Sequence, residues 1–225
     1  MTNKTHLTAK EVFQIVKDAE KKGIEANFDN KIIVDELDFE DYTFSIPVSF
    51  VETTFEGYAD FKGATFKNYA DFEDATFEGY ADFKNATFEK YADFSGATFE
   101  YKANFEDATF EGYADFKNAT FEKYADFSGA TFEGEAYFTH ARFRYYVSFW
   151  DARFKNYVSF WRATFNSYTS FANASFNYKP RFDVVKIEGE FYDKNVTVSG
   201  KPFSLKDYID RLEKIKKLIK GAEND

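Results

Sequence analysis

Residues 70–81 read ADFEDATFEGYA, and residues 103–114 read ANFEDATFEGYA. The identity extends further: residues 70–100 and 103–133 differ only at Asp71 versus Asn104, so a 33-residue block occurs twice in tandem. Inside each block the Phe residues are separated alternately by five and six positions. Followed outward, that register runs from Phe28 to Ile187 and defines 30 slots, of which 28 are Phe and two are Ile (Ile33 and Ile187). Two residues before each slot, Ala stands in 20 of the 30 positions. Small, polar, Phe is the period-two alternation of a strand with one face turned inward.

An 11-residue period also occurs in right-handed helical coiled coils. Steps of five and six, however, would scatter successive Phe over well-separated helix faces. The abundance of Thr, Tyr, Phe, Gly, Asn and Asp favours strands and turns as well. A three-residue strand cannot bury a Phe alone, so each must stack on its equivalent in the next coil. Four sides of 5, 6, 5 and 6 residues make a 22-residue coil, which sets Phe72 against Phe94 and Phe77 against Phe99. Asp74, Asn85, Gly96, Asp107, Asn118 and Gly129 each follow a Phe by two, where a tight corner suits them. From Ala26 to Gly189 this gives about seven and a half coils and a rod about 35 Å long.

The units ADFED, ADFKN and ADFSG resemble the A(D/N)LXX motif of the pentapeptide-repeat family, with Phe in place of the central Leu. The resemblance covers about 70% of the chain. It implies a right-handed quadrilateral parallel β-helix, a repeat solenoid with the central residue and the preceding Ala inward. The sixth residue in every second unit, as in ATFEGY, sets the chain apart from the usual 20-residue square coil.

The chain therefore divides into an N-terminal capping region (1–25), the β-helix (26–189) and a C-terminal region of irregular strands or a hairpin plus an amphipathic helix (190–225). Thr8-Ala-Lys-Glu11 is a capping-box signature for a helix over residues 9–22, with Val12, Phe13, Ile15, Val16 and Ala19 on one face. A second helix is expected from about Leu205 to Lys220, N-capped by Ser204. Leu205, Tyr208, Ile209, Leu212, Ile215, Leu218 and Ile219 form its stripe. Such a helix covers the last coil or joins two copies into a homodimer, as C-terminal helices do in some members of the family.

Between the inward residues, outward columns form. Asp71, Asp82, Asp93, Asp115 and Asp126 occupy the middle of ADF units, and stacking by 22 aligns Glu78, Glu100 and Glu122, and separately Glu89, Glu111 and Glu133. Like charges at that spacing demand compensation. Residues 59–135 hold 17 acidic and seven basic side chains, net −10; residues 136–182 hold seven basic side chains against Asp151 alone, net +6. Tyr recurs every 11 residues and is expected to stack along the six-residue corners. Trp150 and Trp161 follow inward Phe residues, so they point outward. Together with Arg142, Arg144, Arg153 and Arg162 they form a candidate partner-binding zone, although an 11-residue offset sets the two Trp on opposite sides.

The net charge of −10 argues against direct binding to nucleic acid or anionic membranes. No apolar stretch is long enough to span a bilayer, and there is no Cys, which fits a cytoplasmic location. His6 and His140 lie far apart without metal-ligand spacing, and no phosphate loop or nucleophile elbow is present. No enzyme, cofactor or metal is expected. The expected function is a scaffold or protein-binding module with an unidentified protein partner. The resemblance adds a DNA mimic that binds or protects a type II topoisomerase such as DNA gyrase, with the Asp ladder as its charge display. A third reading is a self-assembling structural rod.

Overall fold

The structure is a computed structural model and describes residues 4–222, with side chains through Leu218. The chain winds into a parallel β-solenoid of about nine turns with about 22 residues per coil. Its strands form four sheets of seven, nine, eight and nine strands, which we number as faces 1 to 4 in the order the chain visits them. Faces 1 and 3 are built from ADF units and faces 2 and 4 from ATF units, as Ala70–Asp71, Thr76–Phe77, Ala81–Asp82 and Thr87–Phe88 show in succession. The register is 22 on every face: Ala70 pairs with Ala92, Phe77 with Phe99, Ala81 with Ala103 and Phe88 with Phe110.

Four columns of Phe fill the interior. Phe72 stacks on Phe94 with ring centroids 4.8 Å apart and planes 1° from parallel, and Phe77 on Phe99 at 4.8 Å and 2°. Rings of face 1 meet those of face 3 edge to face, as Phe94 meets Phe105 at 5.3 Å and 85°. Every coil therefore satisfies both geometries that the aromatic quadrupole favours. The Ala two residues earlier has no exposed surface and leaves room for the four rings.

The five-residue corners are hydrogen-bonded turns, as Ala75 N–H donating to the Phe72 carbonyl at 3.1 Å shows. Their third residue has a left-handed backbone: Asp74 at φ 53°, Asn85 at 57°, Gly96 at 69°. This conformation explains the run of Asp, Asn and Gly at that slot. Val184, at φ 63°, holds the same slot without that tolerance.

Helix α1 (Ala9–Lys22) begins in the expected capping box at Thr8 and Glu11 and ends at left-handed Gly23. Val12, Val16 and Ala19 are buried on the first coil, and the Phe13 ring stacks on Phe39 at 4.5 Å. Glu20 accepts from the Tyr42 hydroxyl at 2.8 Å and the Ser45 hydroxyl at 3.2 Å. A strand before the helix, Thr5–Leu7, adds a further rung to face 2.

At the other end the register expected to fail after Ile187 continues. Strands Phe191–Tyr192 and Thr197–Val198 pair in parallel with Thr169–Ser170 and Ser175–Phe176, and only then does a hairpin to Lys201–Pro202 close face 4. The last circuit exchanges its slots. Phe191 stands where Ala usually sits, and Asp193 stands where Phe usually sits. The Asp193 carboxylate accepts from the Ser204 hydroxyl at 3.2 Å and the Lys206 N–H at 2.9 Å. Ser204 in turn accepts from the Asp207 N–H at 3.1 Å, which caps helix α2 (Leu205–Ala222). Leu205 and Ile209 are buried, whereas Ile215 and Leu218 are exposed; the Ile219 side chain, assigned to the same stripe from sequence, lies outside the described residues.

Candidate functional site

The six-residue corners carry the Tyr columns. Tyr58 stacks on Tyr80 at 5.1 Å before face 3, and Tyr69 lies 5.1 Å from Tyr91 before face 1. Each of these hydroxyls donates to the Asp two residues on: Tyr69 to Asp71 at 2.8 Å, Tyr80 to Asp82 at 3.0 Å and Tyr91 to Asp93 at 2.8 Å. The second carboxylate oxygen of each Asp accepts a backbone N–H, that of Glu73, Lys84 and Ser95 respectively, at 2.8 or 2.9 Å. Burial pushes the Tyr58, Tyr69, Tyr80 and Tyr91 hydroxyls far above the ordinary phenol range, reinforced by the adjacent carboxylates. Burial likewise raises the Asp60 and Asp71 carboxyls against the pull of their backbone and Tyr donors.

The Asp ladder is thus turned into the wall. Asp71, Asp82, Asp93 and Asp115 are 4–8% exposed, and Asp126 is half-buried. The exposed acid lies elsewhere, in the two Glu columns. Each column is closed by a cation: Arg144 pairs with Glu122 at 3.0 Å, and Lys155 with Glu133 at 2.6 Å. That is the compensation the stacked charges require.

The six candidate Trp and Arg residues do not form one patch. Arg142 and Arg144 lie on face 2, Arg153 on face 4, and Trp150, 49% exposed, at the corner between faces 3 and 4. Trp161 lies on the opposite corner and is only half-exposed. The Arg162 guanidinium covers one side of its ring at 4.5 Å, Arg181 packs at 5.0 Å, and His140 packs against it at 5.0 Å. Arg181 escaped the sequence reading because it enters through the break in repeat at Tyr178-Lys-Pro180. Trp161 and Arg162 are therefore brought together in a packed corner, while the other four share a single coil.

Comparison by slot isolates that coil. Outward positions 142, 144, 145, 150, 153 and 155 hold Arg, Arg, Tyr, Trp, Arg and Lys. The coil before holds Thr, Glu, Lys, Ser, Thr and Glu in the same slots, and the coil after holds Thr, Asn, Ser, Ala, Ser and Asn. All six belt side chains are exposed. Tyr145, 49% exposed, was missed from sequence because it looks like one more Tyr of the corner columns. Only its slot, one residue before the column Tyr146, distinguishes it.

Among the described residues no group of three or more His, Asp or Glu is placed to hold a metal ion, and no helix is long and apolar enough to cross a membrane. A four-faced parallel solenoid with ADF and ATF walls and capped ends is a repeat scaffold by architecture. The family model for pentapeptide repeats (nine copies) matches residues 30–76, 72–120 and 116–164, and the chain belongs to the pentapeptide-repeat family. No curated protein and no solved structure matches it.

Proposed function

We propose that the protein is a non-enzymatic cytoplasmic binding module: a rigid solenoid that presents side chains to a protein partner from its basic segment, residues 136–182. The observation that carries this is the single coil in which six successive outward slots change at once to cations and large aromatics. Tyr, Trp and Arg are the side chains most concentrated at binding hot spots. Affinity capture from the native cell, with mass spectrometry, tests the reading. The wild-type chain should retain a protein that the variant R142E/R144E/R153E/K155E does not; equal retention by both would overturn it.

The buried Asp ladder offers little to a DNA-mimic reading, whose remaining support is the exposed Glu78 and Glu100 with their column neighbours. A supercoiling assay with purified DNA gyrase decides it, because a mimic must inhibit or protect the enzyme at micromolar protein. The covered ends speak against an end-to-end rod. The outer half of α2, where Ile215 is 53% and Leu218 74% exposed, is where a second copy would pack to form a homodimer.

A further inference from the structure

We infer that the belt on the 142–155 coil receives an extended acidic polypeptide segment that wraps across the rod instead of lying along it; this rests on the protein-binding reading above. The belt follows one coil over three faces in succession, from Arg142 on face 2, past Tyr145 and Trp150 at the two edges of face 3, to Arg153 and Lys155 on face 4. It is one rung high, about 4.8 Å. A partner lying along the axis would cross it once and meet one or two of its side chains. A partner running around the coil meets all six. A path from Arg142 to Lys155 requires roughly 13 extended residues, far more than a rigid loop tip supplies.

The charges define the partner's chemistry. Arg144 and Lys155 lean back on Glu122 and Glu133, and Arg142 and Arg153 are not in ion-pair contact with a carboxylate among the described residues. Two exposed guanidiniums on opposite faces thus await carboxylates, with two exposed aromatic rings between them. A polypeptide can set acidic residues opposite the Arg pairs and neutral ones opposite Tyr145 and Trp150. A nucleic acid cannot, because every repeat of its backbone is charged, and Glu122 and Glu133 flank the path. On the other side the belt borders Thr164, Asn166, Ser167 and Ser175, which repel neither. A flexible segment that orders on binding fits a belt of this length.

The test uses the full chain and a fluorescein-labelled 15-residue poly-glutamate peptide, followed by fluorescence anisotropy in low salt. Binding is expected, weakened at least tenfold by W150A and by R142A/R153A, and unchanged by T164A/S175A on the next coil. Thermal midpoints of the variants check that each remains folded. Absence of poly-glutamate binding, wild-type affinity in both belt variants, or tighter binding of single-stranded DNA of equal charge would each overturn the inference. The capture experiment separates the two levels. If a partner is retained through the belt while poly-glutamate fails, the acidic chemistry is wrong and the binding module stands.

Discussion

The amide of Asn104 donates to the Asp82 carboxylate one coil earlier at 3.0 Å, and to the Tyr80 hydroxyl at 2.9 Å. Asn104 is the one position at which the second 31-residue copy departs from the first, and the residue two before it is Lys102 where the first copy has Tyr69. The Lys102 ammonium lies over the Tyr80 ring at 5.1 Å. Where the column loses a Tyr donor, the buried carboxylate that needed it is replaced by an amide, and the two changes form one repair.

Restoring the repeat at this site should therefore destabilise the protein. Asn104→Asp removes a buried donor and places a third carboxylate between Asp82 and Asp126. A loss of about 1.5–3 kcal/mol is expected for a hydrogen bond to a charged group. Chemical denaturation at neutral pH measures it, and a variant as stable as the wild type would contradict the coupling.

The ladder also sets a pH dependence opposite in sign to ordinary acid denaturation. Asp60 and Asp71 have carboxyls raised by burial, so the folded state holds their protons more tightly than the unfolded chain does. Their contribution is fully present below the ordinary carboxylate value, about pH 4, and is lost as pH rises through the raised folded values. The stability of Asp71→Asn relative to wild type should therefore increase from about pH 4 toward neutrality. A difference independent of pH would contradict this.

Within the Phe columns, Phe105 stacks at 4.9 Å on both Phe83 and Phe127 and meets Phe94 and Phe116 edge to face at 5.3 and 5.4 Å. Phe105→Ala should cost about 3–5 kcal/mol. Phe105→Leu should cost less, because it keeps most of the volume. Equal losses for the two variants, measured by denaturant titration, would show that the column is held by something other than ring packing.

Helix α2 divides into two halves with separate tests. Ile209→Asp, on the buried half, should unseat the lid and lower the thermal midpoint. Leu218→Glu, on the exposed half, should leave that midpoint unchanged and abolish any dimer detected by light scattering across a dilution series. A wild-type chain that stays monomeric throughout would overturn the homodimer proposal.

The coil, its Phe columns and both helices were legible because a period sustained over 30 slots leaves one register in which every ring is buried. The last circuit was not, because Phe191 and Asp193 exchange the small and large slots, and the pattern hides a strand that the backbone still forms. The Asp ladder was legible as a column but not as a buried one. Its burial depends on the Tyr hydroxyl two residues before, a contact made across the strand and not along the period. Trp161 was read as outward, correctly for its backbone; Arg162 and Arg181 then cover it through stacking that no spacing encodes.

Everything inferred about the belt depends on residues 22 apart being neighbours, and the absence of Cys allows a direct test of that register. Thr98 and Thr120 are paired on adjacent rungs of face 2, at the spacing of neighbouring strands, about 4.8 Å, within the range a disulfide spans. The variant T98C/T120C should oxidise to an intramolecular disulfide, seen as a mobility shift on non-reducing electrophoresis, while T98C/N118C, set 20 residues apart, should not. Crosslinking of the 20-residue pair in place of the 22-residue pair would contradict the coil and, with it, the belt.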